Sequence, residues 1–402
     1  MTSFKFDVAI VGGGIIGTNV GIALLQAEPK LKVVILEKEK SLGLHASGRN
    51  SGVLHAGFYY SPDSLKARFC KEGNIAIRNL CKRHNLPILE CGKVVVTQNE
   101  KDETQIEKLF ERGLSNGIDI SLLDAKELPK YEPLARTHKR FIWSPNSAVA
   151  DPKTIIEILQ LQFRELGGEI KVSKRISFSF IEKVTIEDSD FEAKYLINTA
   201  GAYADDLAKK IGLAEEYSMI PFAGIYRFVS TSSIPLKTLV YPVPHPINPF
   251  LGVHFTKTVD NFVKIGPTAI PVFGREQYQW NQGWSYEDFK ELVKGSFSII
   301  KGESHDFSRM ISSEWPKIIQ SNLISESAKL IPSAKKVKGW KKKPPGIRSQ
   351  LVNRKTGKLE QDFIVKNFAN STHVLNAVSP GWTCAIPFGK YIVEKFVLTN
   401  LN

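Results

Sequence analysis

The first apolar run of the chain, Val8 to Val11, is nearly continuous, the pattern of a strand buried on both faces of a parallel sheet. A glycine cluster follows, then the helical stretch "TNVGIALLQAEP", which Pro29 ends, and a second apolar run, "KVVILEK". Strand, glycine turn, helix and strand predict a βαβ unit. A second unit reads "ADPKTIIEILQLQFRELGGEIKV". Asp151 is placed to cap this helix with Pro152 at its first position, Gly167 and Gly168 close it, and "EIKV" continues as a strand. Further on, "AKYLINTAG" predicts a strand and "AYADDLAKKIG" a helix. Between Ile220 and about Ser333 the texture changes to alternating apolar and polar residues rich in proline, which predicts a mostly antiparallel sheet. "SYEDFKELVKGSFSII" reads as a helical insert, and the segments ending in "GWTCAIPFGKYIVEKFVL" return to strand and helix. The two textures interleave, so the expected class is α/β plus α+β, in discontinuous domains.

Composition narrows this picture. The 402 residues suffice for two or three domains, and the 42% hydrophobic fraction supports a sizeable core. No run of eighteen apolar residues occurs, so no membrane-spanning helix is expected. The first strand begins almost at the N-terminus, which leaves no room for a secretory signal. Cys70, Cys81, Cys91 and Cys384 show no CxxC spacing, which fits reduced thiols in a cytoplasmic protein. The net charge is +13, with six lysines between Lys335 and Lys343. The bland reading of that run is a solvated loop. The sharper one is peripheral contact with acidic lipid on the inner face of a membrane. The lysines are not interleaved with aromatics, so no nucleic-acid partner is expected. A positive field would also draw in an anionic substrate.

Gly12, Gly14 and Gly17 match G-x-G-x-x-G between a strand and a helix, and Glu37 ends the next strand, 20 residues beyond Gly17. The glycines suit a tight turn, close approach of a pyrophosphate, and close helix–strand packing, while the carboxylate suits a ribose hydroxyl pair. A carboxylate there favours NAD or FAD over NADP. The glycine-rich "HASGRNSGVLHAG" after Glu37 and the distant "LINTAG" suit a long cofactor that crosses the domain. FAD is therefore expected. The candidate cofactor contacts are Gly12, Gly14, Ile16, Gly17, Glu37, Lys38, His45, Ser47, Asn50, Ser51, Thr199, Ala200 and Gly201. His45 could instead face solvent, and Arg49 divides between cofactor phosphate and surface.

The segments "FDVAIVGGGIIG", "HASGRNSGVLHAGFYYSPDSLKARFC", "INTAGAYADDLA", "YPVPHPINPFLGVHFT" and "GIRSQLV" resemble the L-2-hydroxyglutarate dehydrogenase/oxidase branch of the D-amino-acid-oxidase-like FAD oxidoreductases. The resemblance runs from residue 6 to about residue 390. It implies a Rossmann-like FAD-binding domain (1–90, 146–215 and 340–402) and a mostly antiparallel substrate domain (91–145 and 216–339). It implies oxidation of the C–OH of a 2-hydroxy acid, a small-molecule carboxylate, with electrons passing to oxygen or a quinone. It also brings the C-terminal segment with Gly381 and Trp382 beside the flavin. Two places depart from the family: Ala223 and Ile225 stand where it carries an arginine and a carboxylate, and Trp382 and Pro387 where it carries small residues. These departures open the site to a monocarboxylate or an acid with an apolar tail.

Such an oxidation needs a base for the hydroxyl proton and donors for the carboxylate. By the resemblance His55 and His254 are site residues, and either suits the base. Arg348, on the strand-like "GIRSQLV", is the expected carboxylate anchor, because a guanidinium can grip both oxygens. Tyr60 and Tyr241 are candidate substrate contacts. His84, His138, His245, His305 and His373 read as loop or surface residues. No metal site is expected, since the histidines and cysteines lack ligand spacing. The same fold acting on an α-amino acid or secondary amine is an alternative, as is a flavin-fold binding protein without turnover.

Overall fold

Alternate residues of the strand Phe6–Val11 face opposite ways, and both sets are buried: Val8 and Ile10 enter one apolar cluster, Ala9 and Val11 another. The strand therefore lies mid-sheet. In this computed structural model, which describes residues 6–175, 178–179, 184–186, 192–244, 252–301 and 311–401, five parallel strands run in the order Ser371–Val374, Glu192–Asn198, Phe6–Val11, Val33–Leu36 and Glu169–Lys171. Helices Ile15–Ala27 and Pro152–Glu165 pack on the Val8/Ile10 face, where Gly21 abuts Phe163. Helix Gly381–Ile392 lies against Ile15–Ala27 and against helix Leu65–Arg83. The Asp151 cap forms, its carboxylate accepting from the Thr154 N–H at 3.0 Å, with Pro152 in the first turn.

The second domain is built on an eight-stranded sheet. Its order is Lys341–Lys342, Arg227–Ser230, Phe262–Gly266, His254–Lys257, Leu239–Pro242, Lys93–Val96, Arg140–Ser144 and Ser121–Asp124. Every pairing is antiparallel except Leu239–Pro242 with Lys93–Val96. A smaller antiparallel sheet joins Ile270–Pro271, Tyr217–Gly224, Gly346–Asn353 and Lys358–Leu359. The resemblance implies that residues 340–402 belong to the first domain. The stretch from Lys341 to Leu359 instead belongs to these sheets, because its strands pair with Arg227–Ser230 and Tyr217–Gly224.

The lysine run also acquires a structural setting. Lys341 and Lys342 form a short edge strand, and Lys343 lies over the rings of Phe228 and Phe262 at 4.5 and 5.2 Å. Charged edges of this kind resist pairing with other chains. His373 is fully buried, not at the surface: Asn198 and Ser371 bond its two ring nitrogens. His245 and His305, with part of the "YPVPHPINPFLGVHFT" segment, lie outside the described residues. None of the four cysteines is disulfide-bonded. Among the described residues no helix is long and apolar enough to cross a membrane.

Candidate active site

One cavity of about 620 Å³ runs from the glycine turn to the junction of the two domains. At the turn, Gly12 takes φ +100°, and a Cβ there would meet the Thr199 carbonyl at 2.6 Å. The helix starts at Gly14, where the Ser47 hydroxyl accepts from the Ile15 N–H at 2.9 Å. The Glu37 carboxylate, at the end of its strand, accepts from the N–H groups of Gly13 and Glu39 at 2.9 and 3.0 Å. Each oxygen retains a lone pair for a ribose hydroxyl. Of the residues expected to touch the cofactor, all but Gly17 line the cavity. Gly17 sits beneath the turn, where a Cβ would lie 2.1 Å from the Gly12 carbonyl, so it serves close packing.

The far end gathers His55, His254, Arg348 and Tyr241. His254 stacks on Tyr241 with centroids 3.7 Å apart. Its Nδ1 lies 2.8 Å from the Gly252 carbonyl, which makes Nδ1 the donor and leaves a lone pair on Nε2. Burial, with the nearby cations, pushes its pKa down to about 3, so it stays neutral. His55 follows the strand Val53–Leu54; its N–H donates to Thr383 at 3.3 Å and its carbonyl accepts from Asn74 at 3.1 Å. Burial first, then the charges of Lys93, His254 and Arg348, hold it well below the usual histidine range. Arg348 is borne by the strand Gly346–Asn353, in register with Phe222. The Tyr241 hydroxyl, Ser349 Oγ and Trp382 Nε1 belong to cavity-lining residues, and all three are buried without a hydrogen-bond partner among the described residues. Unpaired buried polar atoms are costly, so this cavity is shaped for a polar guest. With the glycine cradle and Glu37, the residues fit FAD.

Tyr60 is not among the cavity-lining residues, but it stands close enough to Arg348 for each to shift the other's pKa, and its carbonyl accepts from Asn116 at 3.0 Å. Ala223 is buried and off the cavity, while Phe222, Gly224 and Tyr226 line it.

Several residues at the site carried no local signal. Lys93 and Lys264 are buried lysines whose pKa values burial lowers to about 7; Lys264 donates to the Ser51 carbonyl at 2.6 Å. A loop of the second domain, with Arg275, Glu276 and Tyr278, reaches the ribose end. Arg275 is ion-paired with Asp205 at 2.6 Å and Asp288 at 2.9 Å, and Tyr278 bonds His45 at 2.6 Å and stacks under Arg49 at 4.1 Å. Only a predictable Arg-to-Asp pairing across some seventy residues would have revealed it. Glu39, His45 and Glu276 converge within 4.8 Å of one another. The Lys38 ammonium already sits among them, 2.6 Å from Glu39 and 3.1 Å from His45, and also paired with Glu276. A cation occupies that place.

The glycine turn, carboxylate strand and cavity define a flavin enzyme, and the family model for FAD dependent oxidoreductases matches residues 7–395. The chain belongs to this family and its cofactor is FAD. Within the family it is similar to the L-2-hydroxyglutarate dehydrogenase of Escherichia coli strain K12, 34% identical over 97% of this chain and 93% of the relative. The mitochondrial L-2-hydroxyglutarate dehydrogenase of Homo sapiens is 30% identical over 97% of this chain and 88% of the relative. Among solved structures, the FAD-bound L-α-glycerophosphate oxidase of Mycoplasma pneumoniae superposes with a TM-score of 0.72 at 23% identity, covering 97% of this chain and 94% of that one. Glycine oxidase of Geobacillus kaustophilus gives 0.70 at 18%, covering 98% and 94%. Both share the fold.

Proposed function

We propose that the chain oxidises a 2-hydroxy acid, L-2-hydroxyglutarate or a close analogue, to the 2-oxo acid. The observation that carries this reading is the convergence of Arg348, His55 and His254 at one end of the cofactor cavity. FAD, when bound, accepts the hydride from the α carbon. Arg348 holds the carboxylate; His254 presents a lone pair on Nε2; His55 stands as the second imidazole. The names carried by relatives that align over almost the whole chain support the substrate class. The test is anaerobic bleaching of the flavin by L- and D-2-hydroxyglutarate, malate, lactate, glycine and L-proline. Bleaching by an L-2-hydroxy acid is the expected result. Bleaching by amines alone, with ammonia released, would make the chain an amine oxidase. A colourless chain that FAD cannot reconstitute would be a binding protein.

We also infer that the chain contacts a membrane surface, where a quinone would be within reach as the electron acceptor. Helix Tyr286–Lys301 buries Leu292, Gly295 and Ile299 but exposes Tyr286, Phe289, Val293, Phe297 and Ile300. Trp280 and Trp284, 69% and 63% exposed, lie on the segment leading into this helix, and Lys290, Lys294 and Lys301 lie along it. Aromatics and lysines on one face suit the interface of an anionic bilayer. This surface, not the lysine run, is the proposed contact. Co-sedimentation with phosphatidylglycerol vesicles is expected, and the Trp280→Glu/Trp284→Glu double variant should lose it while its anaerobic flavin reduction is unchanged. A double variant that still sediments, or a face covered by a second copy in solution, overturns the inference.

A further inference from the structure

The strand Lys93–Val96 begins with a lysine that is 0% exposed. Among the described residues, no carboxylate lies within ion-pair distance of it. Its ammonium is boxed by the rings of Tyr241 at 4.2 Å, Tyr59 at 5.2 Å and Phe58 at 5.7 Å. Among the described residues, the hydrogen-bonding side chain nearest it is His55, whose Nδ1 stands 3.5 Å from Nζ, at the outer edge of hydrogen bonding. A buried lysine with no counter-ion destabilises a fold, and an apolar side chain of similar length would pack there at less cost. Its presence behind a cavity-lining histidine calls for a functional account.

The surroundings of His55 supply one. Burial disfavours a charge on its ring, and the Arg348 guanidinium disfavours it further. An imidazolium formed by taking a substrate proton would be unstable there. Nδ1 faces Lys93, which leaves Nε2 for the cavity. Burial lowers the pKa of Lys93, opposed by the Cys70 thiol from helix Leu65–Arg83 and the Cys91 thiol beside its own strand; the rings of Tyr59 and Tyr241 and the imidazoles of His55 and His254 also face it.

Resting on the 2-hydroxy-acid reading, we propose that His55 and Lys93 form a proton relay: Nε2 of His55 takes the substrate hydroxyl proton while the Nδ1 proton passes to the neutral amine of Lys93. The imidazole begins and ends neutral with its tautomer exchanged, and Lys93 ends as an ammonium over three aromatic faces, where cation–π attraction stabilises it. The substrate loses a hydride to FAD and a proton to Lys93, and becomes the 2-oxo acid. Lys93 gives the proton to water as product leaves. Lys93 is a positioning and proton-holding residue, because only His55 meets the substrate.

The experiment is anaerobic, rapid-mixing flavin reduction by L-2-hydroxyglutarate across about pH 5 to 9. In the intact chain the rate should rise with pH through an apparent pKa of about 7, that of Lys93. Lys93→Met should keep FAD and KM, lose about 10²-fold or more in rate, and lose the pH limb. Lys93→Arg, permanently protonated, should be equally slow at every pH. In Lys93→Ala, added methylamine should restore part of the rate. A flat wild-type profile, or a Lys93→Met chain with unchanged rate and profile, overturns the relay. A second measurement needs no substrate. Side-chain NMR of labelled lysines in the FAD-loaded chain, with Lys93 assigned through Lys93→Arg, should show Lys93 deprotonating near neutrality. A Lys93 still charged above about pH 9 overturns the relay. Failure of every 2-hydroxy acid to bleach wild-type flavin sinks the substrate reading alone.

Discussion

A Gly14→Val chain is expected to fold and to purify without flavin colour. The two cradle glycines that follow Gly12 differ in what surrounds them. At Gly17 an added Cβ would strike the Gly12 carbonyl at 2.1 Å and Thr199 Oγ1 at 2.5 Å, so Gly17→Ala should damage the fold itself. At Gly14 the backbone is extended, with φ −73° and ψ 176°, which valine adopts readily. A Cβ there meets only Ser47 Oγ, at 3.0 Å, and the rest of the side chain projects into the cavity at the helix start. Displacing Ser47 weakens its bond to the Ile15 N–H, a loss of about 1 kcal/mol. The larger effect is on the cofactor: the branched side chain takes the pyrophosphate's place at the positive helix end. Flavin absorbance per chain should fall to background. Circular dichroism should match wild type, and Tm should lie slightly below that of flavin-stripped wild type. The stripped chain is the right reference, because bound ligand raises Tm by mass action. A yellow Gly14→Val chain with one flavin per molecule would show that the pyrophosphate does not pass Gly14.

Why could the glycine end be read from sequence and the catalytic end only in part? The first depends on short-range geometry. A strand, three spaced glycines and a carboxylate fall within about thirty residues, and the backbone hydrogen bonds of the turn follow from that spacing. The Asp151–Pro152 helix start is local in the same way. Lys93 is different. In "CGKVVVTQ" it reads as the polar end of a strand, and its burial comes from parallel pairing with Leu239–Pro242 and from the aromatic rings that close over it. The loop carrying Arg275, Glu276 and Tyr278 looked like ordinary sheet texture, and its place depends on Asp205 and His45 far back in the chain. Polarity also misled. His373 was expected at the surface, yet a buried histidine is stable once both nitrogens are bonded. Residues 341–359 are a related case: strand pairing, not composition, decides which sheets they join.

The other large effect is expected at Arg348. Its strand is pinned along eight residue pairs to Tyr217–Gly224, so the guanidinium stands on a rigid element, and its residue lines the cavity with His55 and His254. Burial lowers its pKa from the usual arginine value, partly offset by Tyr226 and Tyr60, but arginine remains charged at any working pH. Removing one partner of a buried, hydrogen-bonded charge pair costs about 2–5 kcal/mol. Arg348→Met should therefore raise KM for the 2-hydroxy acid by about 30-fold to several thousand-fold. The limiting rate of flavin reduction should fall as well, because a loosely held acid seldom presents its α hydrogen correctly. Arg348→Lys keeps the charge but not the paired geometry and should lie between the two. A signature separates this from general damage. Arg348 depresses the pKa of both His55 and His254, so its loss should raise both imidazole pKa values while the Lys93 limb near pH 7 stays in place. FAD content should not change. An Arg348→Met chain whose KM stays within a few-fold of wild type would show that the carboxylate is held elsewhere, and the lining hydroxyls of Tyr226 and Tyr241 would then be the groups to examine.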